Sequence, residues 1–460
     1  MSDIMVVAAL REGDPRRVAD ALTARTARAS GPRLADLPDS SAAQAASALV
    51  ADLHAWREGR VAWDEIPHSL LLHGPVGTGK SHIARAMANE PGLRFVTASF
   101  AEWQRCGHLG DMLKAMHASF AEATSLAPCI LFIDEIDSAG SRSGGNSSNS
   151  SYHRQVVNGF LLAIDELNAA GGVILVGACN DPEALDPAIL RPGRLDQKVA
   201  VPLPHRAAIA AVLKQRLGTA LTGAEIDRLS QRLIGESMAT VDALIRSARS
   251  AARVAGRPLD LAILEARLPQ PAPSPAVSWR VAVHEAAHAV VAHLLNQGRV
   301  TRVSLAQGGG LTEQTFDHGE SLEGAFDDHL TVYMAGRAAE RLLLGAVSAG
   351  SGGPKESDLA QATRLATLIE TQFGLGAYGP VWMPEAGLRD PELLGRVRTR
   401  LEAAEARATG VIIAHQAELL ALADALVAEG ELSGARLGGL LAALKTDVDL
   451  AGPQASPLAC

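Results

Sequence analysis

Residues 70–81 read LLLHGPVGTGKS, and their order decides the fold of the first half of the chain. Three leucines make a short apolar run suited to a buried strand, glycines break it, and the residues from Lys80 to Asn89 suit a helix. In that order, backbone N–H groups converge on a phosphate and the helix N-terminus adds a favourable dipole. Gly74, Pro75, Val76, Gly77, Thr78, Gly79, Lys80 and Ser81 are therefore expected to hold ATP. Lys80 would bring charge to the β- and γ-phosphates, and the Ser81 hydroxyl would ligate Mg²⁺.

Such a loop works with a strand that ends in acids, and ILFIDE at 130–135 is one. Asp134 is expected in the Mg²⁺ shell and Glu135 to polarise the attacking water. Buried strands are expected over 69–72, 93–97, 129–133 and 173–177, alternating with helical stretches, which implies a parallel α/β sheet. The pattern turns helical over 205–268, PQPAPSP at 269–275 reads as a stiff linker, and the rest reads as mostly amphipathic helices. SRSGGNSSNSS at 141–151 reads as a flexible loop. The expected organisation is a tail over 1–33, a large α/β subdomain over 34–204, a helical lid over 205–268, a linker over 269–277, a helical domain over 278–452 and a tail over 453–460.

The second chemical signature is VHEAAHAVV at 283–291. Histidines four apart on a helix lie one above the other, so the imidazoles of His284 and His288 can reach one Zn²⁺. Glu285 falls on an adjacent face, where it can take a proton from the attacking water and deliver it to the leaving amine. Two surface histidines are the other reading of that spacing. His293 lies five residues past His288, the wrong interval for a further ligand on the same face.

APCILFIDEID at 127–137 and LDPAILRPGRLDQKV at 185–199 resemble the FtsH protease family, in which an AAA ATPase module is fused to a zinc peptidase. MAGRAAERLLLG at 334–345, SDLAQATRLA at 357–366 and FGLGAYGPV at 373–381 are similar to the peptidase part in the same order. The resemblance covers residues 34 to about 450. It implies an α/β AAA module with a helical lid, then a mostly α-helical zinc metallopeptidase domain. It further implies that Asp358 is the third zinc ligand, although Ser357-Asp358 also suits a helix N-cap. By the same resemblance Arg191 and Arg194 are arginine fingers completing a neighbour's site, Asn180 is the sensor that positions water, and the chains form a homo-oligomeric ring, by analogy a hexamer.

Three departures from the family stand out. The family's N-terminal membrane helices have no counterpart. His108-Leu109-Gly110 occupies the position of an aromatic-hydrophobic-glycine pore loop, with Trp103 as an alternative gripping residue. The segment over about 300–325 is short. A net charge of −9 gives no support for nucleic-acid binding, and no run reaches the roughly 18 apolar residues of a membrane span. Four scattered cysteines and a poor signal sequence fit a reducing, cytoplasmic setting. The expected activity is an ATP-dependent zinc endopeptidase that threads unfolded or short-lived protein substrates, with ATP, Mg²⁺ and Zn²⁺ as cofactors. The competing readings are an ATP-driven remodelling or chaperone ring with a structural peptidase half, and a slow nucleotide-binding scaffold.

Overall fold

The computed structural model describes residues 31–38, 40–90, 93–139, 147–268, 274–306, 309–315, 322–384, 387 and 389–444. Most of the expected N-terminal tail, the C-terminal tail and the first residues of the expected linker lie outside the described residues. The chain divides into two compact units: residues up to Leu203 together with Ser237–Ala239, and the remaining residues from Pro204 onward.

The first unit runs α1 (Ser41–Arg57), β1 (Ser69–His73), α2 (Lys80–Ala88), β2 (Arg94–Ser99), α3 (Phe100–Gln104), α4 (Leu109–Ser125), β3 (Cys129–Asp134), α5 (Ser147–Ala170), β4 (Val173–Cys179) and β5 (Lys198–Ala200). All five strands are parallel, in the order β2-β3-β4-β1-β5. Successive residues of a strand point to opposite faces, and both faces here are covered. Leu71, Leu131 and Leu175 pack with Phe100 and Phe160 on one side, while Leu70, Leu72, Ile130 and Ile174 pack with Leu49 and Leu53 of α1 on the other. The four expected strands are present; β5, only three residues long and preceded by Asp196 and Gln197, is not legible in the sequence. Because β3, β4 and β1 are neighbours, their C-terminal ends bring Asp134, Asn180 and the loop after His73 to one crevice.

Two expectations in this unit are corrected. The stretch 147–151, read as loop, opens α5: serine and asparagine favour helix starts as well as turns, so their composition alone does not separate the two. Trp103 is not a gripping residue: it is buried, donates from its indole Nε1 to Ser119 Oγ at 3.1 Å and packs edge-on against Phe100. His108 is exposed at the residue before α4.

The second unit contains α6 (Arg206–Leu217), α7 (Gly223–Arg232), α8 (Met238–Val254, whose first two residues lie with the first unit), α9 (Leu261–Glu265), α10 (Pro275–Leu294), β6 (Arg299–Ala306), β7 (Gly309–Thr315), α11 (Glu323–Leu344), α12 (Asp358–Thr371), α13 (Pro391–Ala414), α14 (Gln416–Glu429), β8 (Glu431–Ser433) and α15 (Gly434–Leu441). The end of the expected linker is the first turn of α10. Ser274 accepts from Val277 N–H as N-cap and Pro275 takes the first helical position, where its missing N–H costs nothing. Residues 282–292 of α10 are buried throughout, so this helix is the axis of the unit's core, packed by α11, α14 and β6. A three-stranded antiparallel sheet in the order β7-β6-β8 stands where the sequence suggested helices. No single described helix is long and apolar enough to cross a membrane; α13 and α14, bent by 87°, meet that test only as a pair and by length and composition alone.

Burial pushes the thiols of Cys129 and Cys179 up to about 12, whereas Cys106 is exposed. A maleimide pulse at pH 8 is expected to label Cys106 in the folded chain and to reach Cys129 and Cys179 only in denaturant. Mass mapping of the labelled peptides checks this, and prompt native labelling of Cys129 would contradict the buried sheet.

Candidate functional site

The nucleotide crevice is built around the ammonium of Lys80, the first residue of α2. Its Nζ donates to Gly74 O at 2.6 Å, Pro75 O at 3.0 Å and Asn180 Oδ1 at 3.1 Å. Lys80 is thereby joined to Asn180 although 100 residues separate them. Burial pulls the Lys80 pKa below its usual value, against the pull of Asp134. Gly74, Gly77 and Gly79 all have positive φ, and a Cβ at Gly74 would overlap the Val201 carbonyl, so the loop's path demands glycine there. Thr78 Oγ1 donates to Pro75 O at 3.0 Å and closes the turn, while Val76 stands exposed at its tip.

Ser81 Oγ donates to Asp134 Oδ2 at 3.3 Å, which sets a hydroxyl beside a carboxylate as Mg²⁺ requires. Glu135, exposed, sits at φ 54°, a left-handed conformation uncommon for any residue other than glycine. Its amide donates to Asp134 Oδ1 at 2.9 Å, and Ser138 donates twice to its carbonyl. Asp137, which the sequence reading passed over, accepts from Asn180 N–H at 2.8 Å and so fixes the end of β4 against β3. A converging loop, a buried ammonium and a hydroxyl–carboxylate pair fit the phosphates and metal of ATP. Of the two arginines, Arg194 is held by its own chain through a bidentate pair with Asp165 at 2.9 and 3.1 Å and a bond to Ala188 O. Arg191 is exposed and its guanidinium makes no bond among the described residues.

The second site lies in the other unit. His284 and His288 on α10 face Asp358, the first residue of α12, and one ligand atom from each lies within 4.8 Å of the others. His284 Nε2 is 3.1 Å and His288 Nε2 3.5 Å from Asp358 Oδ2. The Asp358 carboxylate is thus turned to the imidazoles rather than capping its helix; Ser357 is the N-cap and makes no side-chain cap bond. His293 is half-buried and stands apart from this group.

What aims the two rings was not visible in the sequence. His284 Nδ1 is 2.9 Å from Glu340 Oε1 on α11, and His288 Nδ1 is 2.8 Å from the Val332 carbonyl. Each partner occupies one ring nitrogen and leaves Nε2 for the shared point. Burial pushes Glu340 up, but donors from Arg280, Ser348 and His284 outweigh it and keep the carboxyl below its usual range. Gly336 lies one helical turn before Glu340, and any Cβ there would overlap the His284 ring. The only signal for Gly336 and Glu340 was the stretch 334–345, which carried the resemblance without assigning a role.

Glu285 is buried, and burial raises its pKa against the opposing charges of His288 and His284. Thr312 Oγ1 on β7 donates to Glu285 Oε2 at 2.8 Å, and a Cβ at Gly310 would overlap the Glu285 carboxyl. No sequence pattern marks Thr312, since a threonine in a Gly-rich stretch has nothing to distinguish it.

Two imidazoles and a carboxylate are a donor set that zinc would take, once both ring nitrogens are free of protons. The fit is supported by His288 Nε2, which is buried and makes no hydrogen bond. Burial alone would lower the His288 pKa, but the neighbouring Asp358 outweighs it and holds it up to about 9. His288 therefore carries a proton at pH 7.5 that zinc must displace. Calorimetry at pH 7.5 in buffers of different ionisation enthalpy is expected to show proton release on zinc binding, with affinity rising as pH climbs to about 9. Uptake without proton release would contradict the arrangement. Glu340→Gln is expected to weaken zinc binding by roughly 10–100-fold in a chelator competition.

Comparison with known proteins places both sites in families. Residues 70–203 match the model of the ATPase family associated with various cellular activities (AAA), and residues 274–391 match Peptidase family M41. The ATP-dependent zinc metalloprotease FtsH 3 of Sphaerobacter thermophilus is 36% identical over 404 residues, covering 82% of this chain and 80% of the relative. The ATP-dependent zinc metalloprotease FtsH 1 of Symbiobacterium thermophilum is 36% identical over 401 residues, 82% of this chain and 66% of the relative. The corresponding FtsH of Acidothermus cellulolyticus is 37% identical over 353 residues, and there the chain spans 52% of the relative's length.

Proposed function

The chain belongs to the FtsH family of ATP-dependent zinc metalloproteases, and from that premise we propose that it hydrolyses peptide bonds of unfolded protein substrates at the His284–His288–Asp358 site, driven by ATP turnover at the Lys80 site. The observation that carries this reading is the convergence of His284, His288 and Asp358 beside a buried Glu285. A zinc ion held there supplies a polarised scissile carbonyl and a water with its pKa lowered to about 7. Glu285, its carboxylate oriented by Thr312, takes the proton of the attacking water and returns it to the leaving amine. Among the described residues β7 pairs only with β6, so its outer edge beside Glu285 is available to an extended substrate backbone.

At the nucleotide site Lys80 would hold the phosphates, Ser81 and Asp134 would hold Mg²⁺, and Glu135 and Asn180 would orient the attacking water. Arg191 and Arg194 serve a neighbouring copy in a homo-oligomer, by family analogy a hexamer. The exposed guanidinium of Arg191 supports the first assignment, while Arg194 must leave Asp165 or work through it. The free thiols Cys106, Cys129 and Cys179 support a reducing, cytoplasmic setting.

The test incubates an unfolded fluorescent protein with the chain, ATP and Zn²⁺. Wild type is expected to release fragments only with ATP. Glu285→Gln should keep ATP turnover and lose roughly 10²–10⁴-fold in fragment release. Glu135→Gln should abolish ATP turnover. ATP hydrolysis with no fragments from wild type would put the remodelling ring in place of the protease.

A further inference from the structure

Arg302 carries a full charge at 2% exposure, in a strand too polar to be read as core. Its Nε and Nη2 clasp Glu313 at 3.1 and 2.5 Å, and its Nη1 reaches Pro204 O at 3.4 Å and Glu431 Oε2 at 3.5 Å. Arg302 of β6 and Glu313 of β7 are directly opposed in the register. They are the first pair after an irregularity in the ladder between Val300 and Arg302, at Thr301. β7 itself, GGLTEQT, has two glycines and no buried face, so its register is weakly specified, and a slip of one residue would turn every one of its side chains to the other face.

The two faces of this sheet do different things. On one face, Val303 opposite Thr312 and the neighbouring Leu432 sit against the core around α10, and Thr312 holds Glu285. On the other face, Arg302, Glu313 and Glu431 meet the start of α6. The Glu431 carboxylate accepts the Arg206 backbone N–H at 3.2 Å from both oxygens, and His205, the N-cap residue, makes no side-chain cap bond of its own. Glu431 thus satisfies an orphan donor and the positive dipole end of α6 from across the sheet. Arg206 in turn donates to Glu429 O and to Asp227 Oδ1 on α7.

We propose that Arg302 is a positioning residue for peptide hydrolysis: its clasp on Glu313 fixes the β7 register that sets Thr312 on Glu285, and Glu431 ties that clasp to the first turn of α6. The inference rests on the peptidase reading of the His284–His288–Asp358 site. A buried arginine between two carboxylates is a costly way to join strands, and apolar residues of equal volume would hold them as firmly. What the ion pair adds is directionality, since the planar fork accepts only one alignment of Glu313. The helical segment beginning at Arg206 thereby reaches the catalytic base through one sheet.

The test measures kcat and KM of the full-length, zinc-loaded chain on a short fluorogenic peptide that needs no unfolding, with zinc stoichiometry and Tm in parallel. Arg302→Lys keeps the charge and loses the fork. It is expected to lower kcat by about 10–100-fold, with KM within about twofold and zinc unchanged. Thr312→Ala should give a similar loss, and the double variant should be no slower than the worse single one, because both act through one grip on Glu285. Glu431→Gln, remote from the zinc ligands, should lower kcat several-fold in the same way. If Arg302→Lys does not fold, Glu313→Gln carries the same comparison. Unchanged kcat, losses that multiply in the double variant, or a loss that follows zinc release or falling Tm would overturn the inference. A wild type without any turnover of peptide would overturn the peptidase reading with it, whereas an active wild type equalled by Arg302→Lys overturns this inference alone.

Discussion

Everything in the peptidase unit turns on the need to bury two imidazoles without leaving a nitrogen idle. A buried ring nitrogen without a partner forfeits its hydration, a cost of about 1–3 kcal/mol, so each histidine of α10 must find a partner for Nδ1 before Nε2 can serve anything else. Glu340 and the Val332 carbonyl are those partners, and both come from α11. That requirement sets how closely α11 approaches α10. It explains Gly336, the position where any side chain would displace the His284 ring, and the run of alanines at the helix contact around it. Asp358 then arrives from a third helix onto two nitrogens already aimed.

The nucleotide crevice solves the opposite problem. Around the buried Lys80 and Thr78 its other groups, Ser81, Asp134, Glu135 and Asn180, are half-exposed or exposed, so their order comes from backbone conformation more than from burial. Positive φ at Gly74, Gly77 and Gly79 bends the loop around the Lys80 ammonium, and the left-handed Glu135 turns the end of β3 away from the sheet. Strain of that kind, on the order of 1–3 kcal/mol for a non-glycine residue, persists only where the surroundings over-determine it. Here Asp134 and Ser138 both bond the Glu135 backbone.

The legibility of these features in the sequence follows how local their chemistry is. The phosphate loop places strand, turn and helix within a dozen consecutive residues, and its reading needs no tertiary knowledge. His284 and His288 are legible because a helix brings i and i+4 together whatever surrounds it. Asp358 is 74 residues from His284 in sequence and only a resemblance pointed to it, since a carboxylate at a helix start is more often a cap. Trp103 shows the limit of residue type as a guide: an aromatic near the expected pore position is drawn into the core beside Phe100, because burying an indole outweighs displaying it. Ser147 and Pro275 show a different limit: serines and prolines start helices as readily as they fill loops, so composition alone does not place them.

The small sheet was illegible because its strands satisfy none of the patterns by which strands are read. β7 is GGLTEQT, with two glycines and no β-branched run, and β8 has three residues. Such segments are held by their partners rather than by propensity. That dependence gives a reason for Arg302. Where intrinsic preference cannot choose a register, a specific cross-strand pair must, and the choice matters here because the neighbouring residue of β7 carries the hydroxyl that orients Glu285. A hydrophobic pair would hold the strands without preferring one alignment; Arg302, set between Glu313 and Glu431, cannot shift without leaving a charge unpaired. The same cost that makes the pair a poor stabiliser makes it a sharp selector of one alignment.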